Sequence, residues 1–196
     1  MDVNTRIARR VRELRDALGF SLDALAERSG VCRSNISLIE RGNSSPTAVV
    51  LDRLASGLGV TVASLFEDSR AREAEPSPLA RVADQPLWTD PASGYIRRNV
   101  SPPARSAIQL VDVVFPGGQR VACDTAAREV DVHQQVWMID GTMELTVGDA
   151  LWRLRAGDCL AMRLDRPIVY RNPKRRPARY LVALTTLPFA PPRRNP

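Results

Sequence analysis

The sequence predicts two domains of different class, an all-α bundle of five helices followed by an all-β barrel. Its 196 residues suffice for two small domains, and a hydrophobic content of 44% provides a core for each. Apolar residues recur at helical spacing through residue 66, whereas short β-branched runs separated by turns begin at residue 79. The polar, proline-punctuated stretch between these parts predicts a linker.

We therefore expect a helical domain at residues 1–67, a linker at residues 68–79, a β-rich domain at residues 80–190 and a tail at residues 191–196. A linker of this composition would let the helical domain adjust its position.

An apolar stripe at three- to four-residue spacing predicts the first helix: Val3, Ile7, Val11, Leu14 and Leu18. Its other faces carry four arginines: Arg6, Arg9, Arg10 and Arg12. Residues 46–57 predict a fourth helix whose first turn is preset by proline. Val62, Leu65 and Phe66 predict a short fifth helix that closes the core.

The residues from Ser21 to Gly42 predict a helix, a tight turn and a second helix. Ser21 is the expected N-cap, and Gly30 supplies the positive-φ turn. The second helix would run over about residues 32–41 and expose Arg33, Ser34, Ser37 and Leu38. Short hydroxyls and one arginine suit base-pair edges in a major groove. Helix pairs with a glycine turn also occur without DNA binding, so the spacing alone leaves both interpretations open.

The stretch GVCRSNISLIERGNSSPT resembles the lambda-repressor-like (Cro/XRE) helix-turn-helix family, and the resemblance covers about residues 7–66. It implies base contacts at the start of the second helix and phosphate contacts from the loop after it. The expected DNA-binding residues are Ser21, Leu22, Arg33, Ser34, Asn35, Ser37, Leu38, Arg41, Asn43 and Ser45. Leu22 replaces a common glutamine and Cys32 a common Ser or Thr cap, so the operator sequence is not predicted.

The same resemblance implies a buried ion pair between Arg15 and Glu40. The alternative is that both are solvated surface charges. Cys32 carries a separate hypothesis: a thiol at a helix N-terminus can have a lowered pKa, so its oxidation could release DNA.

The formal net charge of +6 suits a polyanionic partner. The first 70 residues hold 10 arginines against 9 acidic residues, so the excess positive charge lies in the second half. We therefore expect moderate nonspecific affinity for DNA and a larger contribution from positioned contacts.

The three cysteines, Cys32, Cys123 and Cys159, are far apart and lack metal-ligand spacing, which is typical of reduced thiols in a cytosol. The first residues, MDVNTRIARR, lack the apolar core of a secretion signal. No run approaches the roughly 18 apolar residues of a membrane span. We expect a cytoplasmic protein with no membrane association.

The β-rich half contains strand-like runs separated by turns every eight to twelve residues: IQLVDVVFPGGQ, VWMIDGTMELTVGD, LWRLRAGDCLAM, PIVYRNP and RYLVALTTL. Its turns PGG, IDGTMELTVGD, RAGD and YRNP resemble those of a cupin over about residues 94–187. The resemblance implies a jelly-roll barrel fused to the helical domain.

Cupin enzymes hold a divalent metal with two or three histidines and one glutamate. By the same alignment Gln134 replaces the glutamate, the first two histidines fall in AREV (residues 127–130), and Ile168 replaces the last. Asn172 remains. An amide and an isoleucine cannot hold a transition metal, so we expect no metal and no cofactor. His133 is expected on the outward face with Gln135 and Trp137.

The remaining candidate is a small-molecule effector site inside the barrel, lined by Gln134, Val136, Met138, Ile168 and Tyr170. The alternative is that these side chains simply fill the barrel. Arg153 and Arg155 flank the same sheet, and either one, if turned inward, would favour an anionic effector.

The sequence therefore predicts a transcriptional regulator, a dimeric repressor on a near-palindromic double-stranded operator. Its cupin-like domain is expected to dimerise and to sense an unknown small-molecule effector. The alternative is a cupin metalloenzyme of the hydroxyalkylphosphonate epoxidase type, which also carries a helix-turn-helix domain. A third interpretation is a structural DNA-binding protein with a filled barrel.

Overall fold

The structure is a computed structural model that describes residues 2–67, 76–104, 106–124 and 131–187. Within these ranges the helical domain, hereafter the head, contains four α-helices: α1 (Val3–Ala17), α2 (Leu22–Ser29), α3 (Arg33–Glu40) and α4 (Ala48–Gly57). The predicted fifth helix is wrong, because Ala63–Phe66 forms only a 3-10 turn. Its bonds run from Ser64 N–H to the Thr61 carbonyl and from Leu65 N–H to the Val62 carbonyl, a spacing suited to short segments.

Local capping explains where the helices begin and end. The side chains of Asp2, Ser21 and Thr47 accept backbone N–H groups in the first turns of α1, α2 and α4. Because Thr47 caps α4, Pro46 lies outside that helix, and the predicted role of proline in its first turn is wrong. Gly42 follows α3 with a φ of 72° and completes its C-terminal cap.

The stripe on α1 is shorter than predicted, because Leu18 is 47% exposed and caps the helix end. Arg10, predicted on the surface, is buried and donates from Nε to the Ser64 carbonyl at 3.2 Å. The head core is apolar and closed, and its fully buried residues include Ile7, Val11, Leu25, Ile36, Ile39, Leu51, Leu54 and Leu65.

The β-rich domain, hereafter the barrel, has ten strands among the residues that the structure describes. They are β1 (Leu87–Thr89), β2 (Ile96–Asn99), β3 (Ile108–Phe115), β4 (Arg120–Cys123), β5 (Asp131–Asp140), β6 (Thr142–Val147), β7 (Ala150–Arg155), β8 (Cys159–Arg163), β9 (Ile168–Arg171) and β10 (Ala178–Leu187). One antiparallel sheet has the order β1-β2-β3-β10-β5-β8 and the other the order β4-β9-β6-β7. Strands β3 to β10 thus follow jelly-roll order, with β1 and β2 extending the larger sheet.

The head packs directly against the barrel. Asp90, which is buried in the turn between β1 and β2, accepts the backbone N–H of Ala48 at the start of α4 at 3.0 Å. The Thr61 hydroxyl donates to Gln109 Oε1 at 2.8 Å. The Phe66 ring lies edge-on to Trp88, with 6.0 Å between centroids. The expectation of a freely adjusting head therefore differs from the structure, in which polar and aromatic contacts join the two parts.

Residues 68–75 of the predicted linker and the predicted tail at residues 191–196 lie outside the described residues. Within the described ranges, no helix has the length and apolarity needed to cross a membrane.

Candidate DNA-reading surface and barrel cavity

The turn before α3 fixes the orientation of this helix on the head. Gly30 has a φ of 64°, which favours glycine, and it lets the chain reverse between α2 and α3. Val31 is then buried, and Ile36 and Ile39 anchor α3 in the core with 0% and 1% exposure. The opposite face of α3 is left in solvent.

That opposite face forms a shallow groove between α2 and α3, hereafter the reading groove. It is lined by Leu22, Arg33, Ser34, Ser37, Leu38 and Arg41. All six are among the ten residues expected to bind DNA. Leu38 is 40% exposed, which is unusual for a leucine and leaves an apolar surface beside two serine hydroxyls.

The other four expected residues lie at the edges of this surface. The Ser21 hydroxyl accepts the Ala24 N–H at 3.1 Å and therefore serves as a helix cap. Asn35 is partly buried, whereas Asn43 is exposed in the loop after α3. The Ser45 hydroxyl donates to Asn4 Oδ1 at 3.0 Å. Thus Asn43 and Ser45 are exposed in the loop after α3.

The guanidinium of Arg33 is held loosely. Its Nε lies 3.1 Å from Asp23 Oδ1, and both side chains are mostly exposed, at 63% and 75%. Such a pair contributes about 0–1 kcal/mol, so releasing Arg33 to another acceptor costs little. Arg41 is tied to the helix by a 3.1 Å bond from its Nε to the Ser37 carbonyl.

Cys32 occupies the N-cap position of α3, where it makes no side-chain capping bond. Its Sγ lies 3.4 Å from the Ser34 hydroxyl oxygen. That contact is the main cause of a lowered pKa of the exposed Cys32 thiol.

Arg15 and Glu40 join α1 to the end of α3. Arg15 Nε lies 2.7 Å from Glu40 Oε1 and Nη2 lies 2.8 Å from Oε2, a bidentate geometry. Arg15 Nη1 also donates to the Phe20 carbonyl at 2.9 Å. The hydrogen bond to Glu40 is the main cause of a raised pKa of Arg15. The side chains are only 12% and 8% exposed, so this pair is largely removed from water.

A cavity of about 90 Å³ lies between the two sheets of the barrel. Gln134, Ile168 and Tyr170 line it, as expected for the effector site. Val136 and Met138 also point inward, but both are 0% exposed in the core and do not line the cavity. Gln134 Nε2 donates to the Tyr170 hydroxyl at 2.7 Å.

The sequence reasoning missed Arg97 on β2, which also lines this cavity and is only 8% exposed. Strand alternation would place Tyr95, Arg97 and Asn99 on one face and so indicates that Arg97 points inward. The two adjacent arginines in IRRN, however, are not typical of a strand. Arg153 and Arg155 do not turn inward: both are exposed, and Arg153 Nε lies 3.0 Å from Glu144 Oε1.

The cavity also has a wall from the head, formed by Ala48, Asp52, Thr61 and Val62. The head thus contributes to the cavity lining through α4 and through the residues that precede the 3-10 turn.

The residues at the expected metal positions do not fit a metal site. Gln134 is engaged with Tyr170, and Ile168 has no donor atom. Asn172 is fully buried and uses its amide in the turn after β9, where Nδ2 donates to the Arg176 carbonyl at 2.9 Å. In the part of the chain that the structure describes, no three His, Cys, Asp or Glu side chains cluster as metal ligands would. Residues 127–130 lie outside that part.

His133 faces outward, on the same side of β5 as Gln135 and Trp137, as expected from strand alternation. Its Nε2 lies 3.3 Å from Asp131 Oδ1, and its side chain is 42% exposed.

Comparison with known proteins matches residues 6–65 to a family model described as a helix-turn-helix domain. The chain is 26% identical over 165 residues to the HTH-type transcriptional regulator SutR of Escherichia coli, covering 83% of this chain and 84% of that protein. An "Uncharacterized HTH-type transcriptional regulator" of Methanothermobacter thermautotrophicus is 43% identical over 49 residues, which are 25% of this chain and 71% of that protein.

Among solved structures, an HTH_3 family transcriptional regulator from Vibrio cholerae superposes with a TM-score of 0.74. The match covers 95% of this chain and 98% of that chain at 23% identity, so the two share a fold.

Proposed function

Because the chain belongs to the HTH-type transcriptional regulators, we propose that it represses transcription as a homodimer on a near-palindromic operator, under the control of a small molecule in the barrel. The observation that carries the proposal is the reading groove. There Arg33, Ser34 and Leu38 face solvent while Ile36 and Ile39 fix the same helix in the core. A buried scaffold thus presents a small set of side chains to base-pair edges.

Each exposed side chain on α3 has a chemistry that suits one feature of the major groove. A freed Arg33 guanidinium can donate two hydrogen bonds to guanine O6 and N7. Ser34 and Ser37 can donate to or accept from several bases, and Leu38 can contact a thymine methyl. The loop with Asn43 and Ser45 fits the phosphate backbone and fixes the register.

The homodimer is proposed because one reading helix offers few base contacts, and paired heads would read two half-sites about one or more helical turns apart. The outer face of β5 supports it. Trp137 is 48% exposed and Ile139, two residues further on the same face, is 38% exposed. A second copy seated on this face would cover both residues.

Control by the barrel is proposed because the head and the barrel share the wall of one cavity. A ligand in this cavity shifts DNA binding only if its affinity for the DNA-competent arrangement of the two domains differs from its affinity for the other arrangements. The size of the shift is set by that difference in affinity. A cytoplasmic location belongs to the same proposal, since none of the three cysteines forms a disulfide. The metalloenzyme alternative is not favoured, because Gln134 and Ile168 lack the donor chemistry that it needs.

The test begins with operator sites recovered by genome-wide mapping of DNA bound to the full-length protein. Binding of the recovered operator is then compared for the wild type, Arg33→Ala and Arg53→Ala, an exposed arginine on α4 that serves as the control. We expect Arg33→Ala to lose about 1–3 kcal/mol and to relax specificity at one base pair.

Arg53→Ala should leave affinity unchanged. An equal loss for both variants would show that arginine charge, and not the reading groove, governs binding. Stoichiometric iron in the purified protein would favour the enzyme instead.

A further inference from the structure

Arg97 is the most unusual polar residue in the described part of the barrel. It lies on β2 opposite Val113 of β3 and Trp88 of β1, and its side chain points between the sheets. Its neighbour Arg98 lies on the other face of the strand. Long cationic side chains seldom become this buried unless they are paired.

Arg97 makes no ion pair among the described residues. Its Nε and Nη2 atoms are buried and make no hydrogen bond there. Burial lowers the pKa of Arg97. The side chains with the largest electrostatic interactions with its guanidinium are Tyr95, Tyr180 and Tyr170, which are neutral at physiological pH. Since arginine stays protonated in proteins, the interior holds a cation that is not ion-paired with any described residue. Such an arrangement is costly unless something else supplies the negative charge.

The cavity beside Arg97 has room for a small group. Its volume of about 90 Å³ lies below the ~300–1,000 Å³ that is usual for drug-sized ligands. Most of its walls are apolar, from residues such as Phe115, Val121 and Ile168. Its polar lining includes Asp52, Thr61, Gln134 and Tyr170. A compact oxyanion with a short apolar part would match these walls, and its two oxygens would match the guanidinium.

We propose that this cavity binds a small molecule through a carboxylate, sulfonate or phosphate group held by the guanidinium of Arg97. The inference rests on the proposed function in that it names the chemical class of the effector. It does not require the operator to be known. Asp52 lines the same cavity from α4, so the anionic end of the ligand faces Arg97 and not the head.

The same guanidinium links the ligand to the head. Its carbon lies 5.5 Å from the centroid of the Phe66 ring, which belongs to the 3-10 turn of the head. An anion that attracts the guanidinium competes with this cation–π contact. The bound and free states therefore differ at the contact between the two domains, which is the condition for a ligand to shift DNA binding.

The experiment uses the full-length protein with three simple probes: acetate, sulfate and inorganic phosphate, each compared with chloride at equal ionic strength. Thermal unfolding and the NMR resonance of the Arg97 Nε–H group are followed as each anion is added. The variants are Arg97→Met, Arg97→Lys and, as the matched control on the same strand, Arg98→Gln.

At least one anion should stabilise the wild type and Arg98→Gln in a saturable way and shift the Arg97 Nε–H resonance. Arg97→Met should weaken that binding by about tenfold or more. Arg97→Lys should weaken it by less, because lysine keeps the positive charge but lacks the planar guanidinium that donates two parallel hydrogen bonds. Without anions, Arg97→Met should be at least as stable as the wild type, because it removes an uncompensated buried charge.

Two results would overturn the inference. In one, the anions stabilise the wild type and Arg97→Met equally, which is the general effect of excluded salts such as sulfate. In the other, none stabilises the wild type and Arg97→Met unfolds more readily, which would make Arg97 a structural residue.

Operator binding separates this inference from the proposed function. An anion that binds through Arg97 without changing operator affinity supports the site but contradicts effector control. If operator affinity responds to an uncharged molecule and to none of the three anions, effector control stands and the anion site is refuted.

Discussion

Replacing Glu40 with alanine removes the carboxylate that holds Arg15 between α1 and α3. The pair has two bonds of 2.7 and 2.8 Å and is nearly buried. Removing one partner of a buried pair costs about 3–5 kcal/mol, because the other charge is stranded. After Glu40→Ala, Arg15 keeps the Phe20 carbonyl and Asp16, whose Oδ1 lies 2.7 Å from its Nη1. The loss should therefore be near the lower limit, about 3 kcal/mol.

Arg15→Ala should cost more than Glu40→Ala. Among the described residues, the side chain of Glu40 has no hydrogen-bond partner other than Arg15, so its carboxylate would be left buried and unpaired. We expect a loss near 5 kcal/mol. For a chain of this size, each kcal/mol corresponds to about 2–4 °C in Tm, so both variants should melt well below the wild type.

The assay is denaturant unfolding followed by far-ultraviolet circular dichroism, with Arg12→Ala as the control. Arg12 lies 3.8 Å from Asp16 in an exposed i,i+4 pair, so its loss should cost no more than about 0.5 kcal/mol. The double variant Arg15→Met with Glu40→Leu should recover most of the stability, because no charge is stranded. If Glu40→Ala costs as little as Arg12→Ala, the pair behaves as a surface pair and the reasoning is refuted.

Leu38→Ala should weaken operator binding by about 1 kcal/mol without changing stability, and unchanged affinity in a DNA titration would place this side chain away from the bases. Trp137→Gln should shift the dimer towards monomer in sedimentation analysis by about 2 kcal/mol or more, whereas Leu151→Gln on the smaller sheet should not. Iodoacetamide at neutral pH should modify Cys32 readily, because the contact with Ser34 lowers its thiol pKa, and the modified protein should lose operator binding. Peroxide treatment that leaves operator binding intact would contradict the redox hypothesis.

The head was predictable because its signals are local. Ser21, Gly30 and Gly42 mark helix ends through their own backbone or side-chain chemistry, and Ile36 and Ile39 follow helical spacing. The reading groove then follows from the same periodicity, since the positions between the buried isoleucines must face solvent.

Contacts between distant parts of the chain could not be predicted in this way. Arg97 is buried only because Phe66 and the opposite sheet close around it, and nothing in IRRN indicates either neighbour. Arg10 is similar, since it becomes buried against the 3-10 turn more than fifty residues later in the chain. Local patterns describe each half by itself, so they do not indicate the cavity wall that the two halves share.

The bond from Ala48 N–H to Asp90 means that the barrel supplies the carboxylate at the positive end of α4. The head is therefore not a transferable module that ends at residue 67. A fragment cut there would expose Phe66 to water and leave the first turn of α4 without its acidic partner. Chimaeras that graft this head onto another sensor should carry Trp88 and the Asp90 turn with it. These residues complete the packing of the head, although they lie beyond its last residue in the sequence.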